Sequence, residues 1–209
     1  DQRLQGQVRT RRLNVIKYRG SGFLSNEHPY VLSSRGVVLM PVSSLSLEHH
    51  QGGEKISSGN PQLDSILGGG YLQGSFILLA GDSGTGKTTL AFTFTSAACE
   101  RQEKVFFVNF EESQHAMIRG MKSVGIDVKR PLEKGTLEIL TILPESVGIE
   151  NHLLNIMEAI ENFSPAHLVV DAVSACRRMG TERAAFDFLV RLLTECRNRN
   201  ITCFLINQV

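Results

Sequence analysis

Residues Gly81 to Thr88 read GDSGTGKT and fit the spacing G-x-x-x-x-G-K-[ST]. Glycines at these positions let backbone amides converge on phosphate oxygens, and a helix starting there adds the positive end of its dipole. In that chemistry Lys87 reaches the β- and γ-phosphates and the Thr88 hydroxyl binds Mg²⁺. Ser83, Gly84, Thr85, Gly86 and Thr89 complete the expected cradle. The motif falls between an apolar stretch, FILLA, and a helical pattern, which is the context the mechanism needs. The sequence therefore predicts a nucleotide site, with ATP and Mg²⁺ as cofactors.

Three further sites carry polar groups to the same chemistry. Asp171 ends the apolar run HLVVD, where a phosphate-binding protein of this kind holds the carboxylate that reaches Mg²⁺ through water. A helix-capping Asp is the alternative, since Asp is a favoured cap. Glu111 and Glu112 follow VFFVNF directly, and ligands in open α/β sheets lie outside such strand ends. A carboxylate there can orient and deprotonate an attacking water or hydroxyl, although paired glutamates are also common in solvated loops. The expected catalytic pair is thus Glu111 and Glu112, and the expected metal set is Thr88, Glu111 and Asp171. Gln208, near the end of the last strand, is either a sensor of the γ-phosphate or a surface glutamine.

A basic segment lies far upstream, in NVIKYRGSGF. Alternation over RLNVIKY predicts a half-buried strand that sends Lys17 and Arg19 to one face. Tyr18 and Ser21 flank them, and Gly20 and Gly22 let the backbone bend toward a ligand. A merely solvated basic face is the alternative.

These residues need elements to position them. After Gly53 the chain alternates apolar strands with helices. Asn60-Pro61 starts a short capped helix that Gly68-Gly69-Gly70 ends. FILLA (76–80), VFFVN (105–109), LEILT (137–141), HLVVD (167–171) and TCFLI (202–206) are the expected strands. Helices are expected over 87–99 and near 114–124, 151–162 and 183–198. The pattern predicts an α/β fold, a parallel sheet flanked by helices on both faces. The first fifty residues read instead as a small β-rich segment, including a hairpin from PYVL and VVLM around Ser-Ser-Arg-Gly. Gln51-Gly52-Gly53 is the linker candidate, which divides the chain into 1–52 and 53–209.

Composition excludes several classes. A net charge of +1 gives no global electrostatic case for nucleic acid or an anionic membrane. No apolar run approaches the roughly 20 residues of a membrane span. The four cysteines are scattered and read as small buried hydrophobes in a reducing cytoplasm, not as a zinc site or disulfide frame. DQRLQGQVRTRR lacks the apolar core of a signal peptide, and both ends read as cuts in a longer protein.

ISSGNPQLDSILGGGYLQGS followed by ILLAGDSGTGKTTL resembles the opening of a RecA-like P-loop NTPase core. With KYRGSGF, HPYVLSSRGVVLMP, FEES, PESVGIENHL and VVDAVSA in order, nearly the whole chain resembles the KaiC family, tandem RecA-like ATPases and autokinases of the circadian clock. The resemblance implies that 1–52 is the tail of a first ATPase domain and 53–209 most of a second. It implies a Mg-ATP-dependent ATPase with Ser/Thr autokinase activity in a homohexameric ring, in circadian or related signalling, with regulators like KaiA and KaiB. It further implies that Lys17, Tyr18, Arg19 and Ser21 contact nucleotide on the first domain of a neighbouring subunit. Two departures stand out: Val124 replaces a Trp near the nucleotide, and the autophosphorylated Ser/Thr pair would lie beyond Val209. The competing readings are a RecA/RadA-like DNA-dependent ATPase, for which Arg177-Arg178 and RTRRLNVIKYR are the only hints, and a nucleotide-gated scaffold with very slow hydrolysis.

Overall fold

A computed structural model describes residues 2–5, 8–20, 27–33, 36–39 and 53–209, with side chains described from residue 11 onward. Ahead of the nucleotide motif, β1 (Gln2–Gln5), β2 (Val8–Leu13), β3 (His28–Ser33) and β4 (Gly36–Leu39) form an antiparallel sheet in chain order. The β3–β4 register closes on Ser33 opposite Gly36, which realises the expected hairpin. The strand expected over RLNVIKY is corrected: β2 ends at Leu13. Its pairing with β3 covers only Arg12 opposite Pro29 and Leu13 opposite His28, and Pro29 has no N–H to offer the ladder. Residues 14–18 have no regular structure, Ile16 is 91% exposed, and Lys17 and Arg19 share no strand face.

The second part begins with β5 (Lys55–Ile56), α1 (Pro61–Ile66) and β6 (Tyr71–Leu72), the two strands pairing antiparallel. Asn60 caps α1 as its sequence predicts, its side chain accepting from the Gln62 and Leu63 amides at 2.9 and 3.1 Å. There follow β7 (Phe76–Gly81), α2 (Lys87–Glu100), β8 (Val105–Asn109), α3 (Gln114–Ser123) and α4 (Lys129–Lys134). Then come β9 (Leu137–Thr141), α5 (Ile149–Phe163), β10 (His167–Asp171), α6 (Glu182–Asn198) and β11 (Thr202–Gln208). Short 3₁₀ turns cover Pro144–Ser146 and Val173–Met179. The sequence pattern does not single out α4, a six-residue helix whose Pro131 sits in the first turn, where a missing N–H is tolerated.

Strands β7 to β11 form one parallel sheet in the order β7-β11-β10-β8-β9. Every residue of β8 and β10 is buried, and period-2 alternation sorts them between two faces. Phe106, Val108, Leu168 and Val170 meet α5 and α6 through Ile156, Ile160, Phe188 and Leu192. Val105, Phe107 and Val169 meet α2 and α3 through Phe92, Phe94 and Met117. β3 packs against α5, with Val31 buried. Two covered faces explain why these strands read as continuous apolar runs. All four cysteines are buried and free, as expected. Among the described residues no helix is long and apolar enough to cross a membrane. The carboxyl ends of β7, β8 and β10 thus open on one edge of the sheet.

Candidate nucleotide site

The loop from Gly81 to Gly86 joins β7 to α2 and turns through left-handed backbone at Gly84 (φ 79°) and Gly86 (φ 86°). A Cβ at either position would meet no atom within 4 Å. Backbone conformation, not space, therefore selects glycine here, since a β-carbon in that region costs roughly 1–2 kcal/mol. The Lys87 ammonium donates to the carbonyls of Gly81 at 2.8 Å and Asp82 at 2.7 Å, which curls the loop around a positive charge. Gly86 caps α2 without a side-chain hydrogen bond, and no acidic residue lies in the first turn. The first amides of α2 are left to an anion, so the end of this helix fits phosphates.

Thr88 and Asp171 meet directly: the Thr88 hydroxyl donates to Asp171 Oδ2 at 2.7 Å. This overturns the capping alternative for Asp171, because the 3₁₀ turn that follows is capped by Ala172 and takes no side-chain bond at its start. Asp171 is 5% exposed, and burial pushes its pKa up to about 6, with Glu111 and Glu112 adding repulsion against the opposing Thr88 bond and Lys87 charge. A buried carboxylate beside a hydroxyl, with two further carboxylates near it, fits a divalent cation, for which Thr88 and Asp171 would be the protein groups. Among the described residues no three His, Cys, Asp or Glu side chains gather into a self-contained metal site. Such a pocket suits a cation that shares its coordination with phosphate oxygens and water.

Glu111 and Glu112 are exposed on the turn after β8. That turn is fastened to β10, the Phe110 amide donating to the Asp171 carbonyl at 2.7 Å. A cleft of about 360 Å³, lined by Glu111, Ser174, Ala175 and Arg178, opens beside it. Arg178 reaches across to the Phe110 carbonyl at 3.5 Å and to Glu145 at 3.6 Å, so of the Arg177-Arg178 pair one is already engaged at this cleft. The Glu145 pair is half exposed and adds little to stability by itself.

The family profile described as "ATPase: KaiC" matches residues 56–209, most of the chain. The chain belongs to the KaiC ATPase family. A KaiC relative from Synechocystis sp., "Circadian clock protein KaiC2", is 38% identical over 206 residues, spanning 98% of this chain and 36% of its own length. "Circadian clock oscillator protein KaiC" from Picosynechococcus sp. is 34% identical over 204 residues, spanning 98% of this chain and 40% of its own. Its namesake from Synechococcus elongatus is 32% identical over the same length. The chain therefore spans well under half of the KaiC relatives it matches.

Of the residues read from sequence, the KaiC core brings Lys87, Thr88, Asp171, Glu111 and Glu112 to one edge of the sheet. Gln208 is exposed on β11 and paired in register with Gly81, next to the phosphate loop. Ser83, Thr85 and Thr89 lie in or just after that loop, Thr85 donating to the Asp82 carbonyl at 2.9 Å. Val124 forms the C-cap of α3 and is 55% exposed. Lys17, Tyr18 and Arg19 are exposed, and Ser21 lies outside the described residues. Two side chains at the site carry weak sequence signals. Asn109 is a polar residue ending a buried apolar strand, which by itself demands a partner. Glu145 lies in the 3₁₀ turn Pro144–Ser146, inside the PESVGIENHL stretch, with no periodicity that points it to this site.

Proposed function

We propose that this chain is the nucleotide-hydrolysing part of a KaiC-type ring ATPase that, in its full length, also transfers phosphate to its own Ser/Thr side chains in circadian or related signalling. The observation that carries the reading is the convergence of three strand ends: Lys87 in its loop, Thr88 bonded to Asp171, and Glu111 beside them. Backbone amides of the loop and Lys87 bind the triphosphate and neutralise its charge as the γ-phosphoryl group leaves. Thr88 and Asp171 would hold Mg²⁺ together with ATP, and the ion would supply further charge neutralisation at the phosphates. Glu111 accepts the proton of the attacking water or, in the kinase reaction, of the acceptor hydroxyl, with Glu112 beside it on the same turn.

Homohexamer formation, contact of Lys17, Tyr18 and Arg19 with nucleotide in a neighbouring subunit, and regulators like KaiA and KaiB belong to the same proposal, supported by family membership. The division into 1–52 and 53–209 is supported by the separate antiparallel sheet ahead of the parallel one. In full-length protein Glu111→Gln should keep ATP binding while turnover falls about 10²–10⁴-fold, the contribution of a placed base. A loss under about threefold would refute the base assignment.

A further inference from the structure

We propose that Asn109 is the positioning residue of this site, clamping the Glu111–Glu112 turn so that the Glu111 carboxylate stays aimed at the nucleotide. This rests on Glu111 acting as the base.

Asn109 ends β8 and is 2% exposed. Its Oδ1 accepts from the Glu111 amide at 3.0 Å and from the Glu112 amide at 3.4 Å. Its Nδ2 donates to the Glu112 carbonyl and, at 2.9 Å, to Met117 Sδ in α3. One side-chain amide thus spends two acceptor positions and both donors on a four-residue turn and the helix behind it. The backbone completes the clamp. Asn109 lies in register with Asp171 on β10 and Thr141 on β9, and its carbonyl accepts from the Ile142 amide at 2.8 Å.

The reason for such a clamp is electrostatic. Glu111 and Glu112 both repel the buried Asp171 carboxylate, and exposed side chains on a free turn would relieve that repulsion by swinging into water. Holding the backbone of both glutamates fixes where their side chains start. An apolar residue at 109 would pack equally well in a strand whose other four members are Val105, Phe106, Phe107 and Val108, but it could not hold the turn.

The test uses full-length protein and compares Asn109→Ala, Asn109→Thr, Glu111→Gln and Asn109→Ala/Glu111→Gln. Steady-state turnover is measured for each, with Kd for a non-hydrolysable ATP analogue. Misplacing a reacting group by about 1 Å costs up to about 10²-fold, so Asn109→Ala should lose roughly 10- to 100-fold in kcat with Kd within about threefold. Asn109→Thr, whose hydroxyl can accept one amide and donate to the Glu112 carbonyl, should fall between it and the unmodified protein. The double variant should be no slower than Glu111→Gln alone, because a residue acting only through Glu111 has nothing left to position. Additive losses in the double variant, or an unchanged kcat in Asn109→Ala, overturn the proposal. If Asn109→Ala does not fold, the same cycle with Asn109→Thr decides by the same additivity. Full turnover in Glu111→Gln would overturn the base assignment and this proposal together, whereas a slow Glu111→Gln beside a fast Asn109→Ala overturns the positioning role alone.

Discussion

Two segments of this chain carry cations and glycines that suit phosphate, and they differ in how much of a site each builds. Residues 81–88 are complete in themselves. The loop closes on Lys87, its glycines take up left-handed backbone, and β10, beyond β11 in the sheet, delivers Asp171 to Thr88. Residues 14–20 build nothing comparable: the strand ends at Leu13, and Lys17, Tyr18 and Arg19 point into solvent. A binding loop is fixed by its own turn and helix, whereas a cationic segment without internal partners gains a role only from a ligand brought to it. Nucleotide binding at the first site can be tested within this part of the protein, and the second site only in the assembly.

The largest effect is expected in the upstream segment. If Lys17 and Arg19 act in trans on the first domain of a neighbour, Lys17→Ala/Arg19→Ala should lower turnover there by about 10³-fold or more, the scale of an arginine finger. Mixing these subunits with subunits lacking the first-domain phosphate-loop lysine should restore part of that activity, because some interfaces then pair two intact halves. Verified mixed rings without recovery would leave the segment as a solvated surface.

Lys87→Ala sharpens the contrast from the other side. It removes a charge-assisted partner of the phosphates and frees the Gly81 and Asp82 carbonyls. ATP affinity of the 53–209 domain should fall about 30-fold or more, from a loss of roughly 2–5 kcal/mol, while Lys17→Ala/Arg19→Ala leaves that affinity unchanged. Calorimetric titration of both variants with a non-hydrolysable analogue decides it, and equal affinities would erase the distinction.

The smallest effect concerns stability. With its pKa raised from 3.8 to about 6, Asp171 binds its proton more tightly folded than unfolded. Unfolding free energy therefore falls as pH rises from about 4 to 6, and the penalty, up to about 3 kcal/mol, is complete above that range. In protein free of Mg²⁺ and nucleotide, Asp171→Asn should be more stable at pH 8, with the advantage shrinking toward pH 4. Urea unfolding at the two pH values measures this. A variant no more stable at pH 8 would show that the carboxylate is better solvated than its burial implies.

Much of the core is legible in the sequence. The five apolar strands and their helices follow from periodicity, because strands buried on both faces must be apolar throughout. Asn60 and Gly86 announce the helix starts that they make, since a cap and a left-handed turn are local properties of one residue and its neighbours. Lys87 and Thr88 are legible for the same reason. The strand over RLNVIKY is misread because alternation records only which faces a strand would offer, and pairing with β3 ends at Leu13.

Tertiary structure alone decides that β11, last in the chain, lies between β7 and β10 and so sets the phosphate loop two strands from Asp171. No local preference encodes strand order, which depends on how helices cover both faces at once. The same holds for the bond between Thr88 and Asp171, 83 residues apart, and for the hydrogen bonds that Asn109 makes around the Glu111–Glu112 turn. Local patterning dictates which residue types stand at the ends of the strands. Folding decided which of those ends meet, because only packing brings carboxylates from separate strands close enough to repel one another.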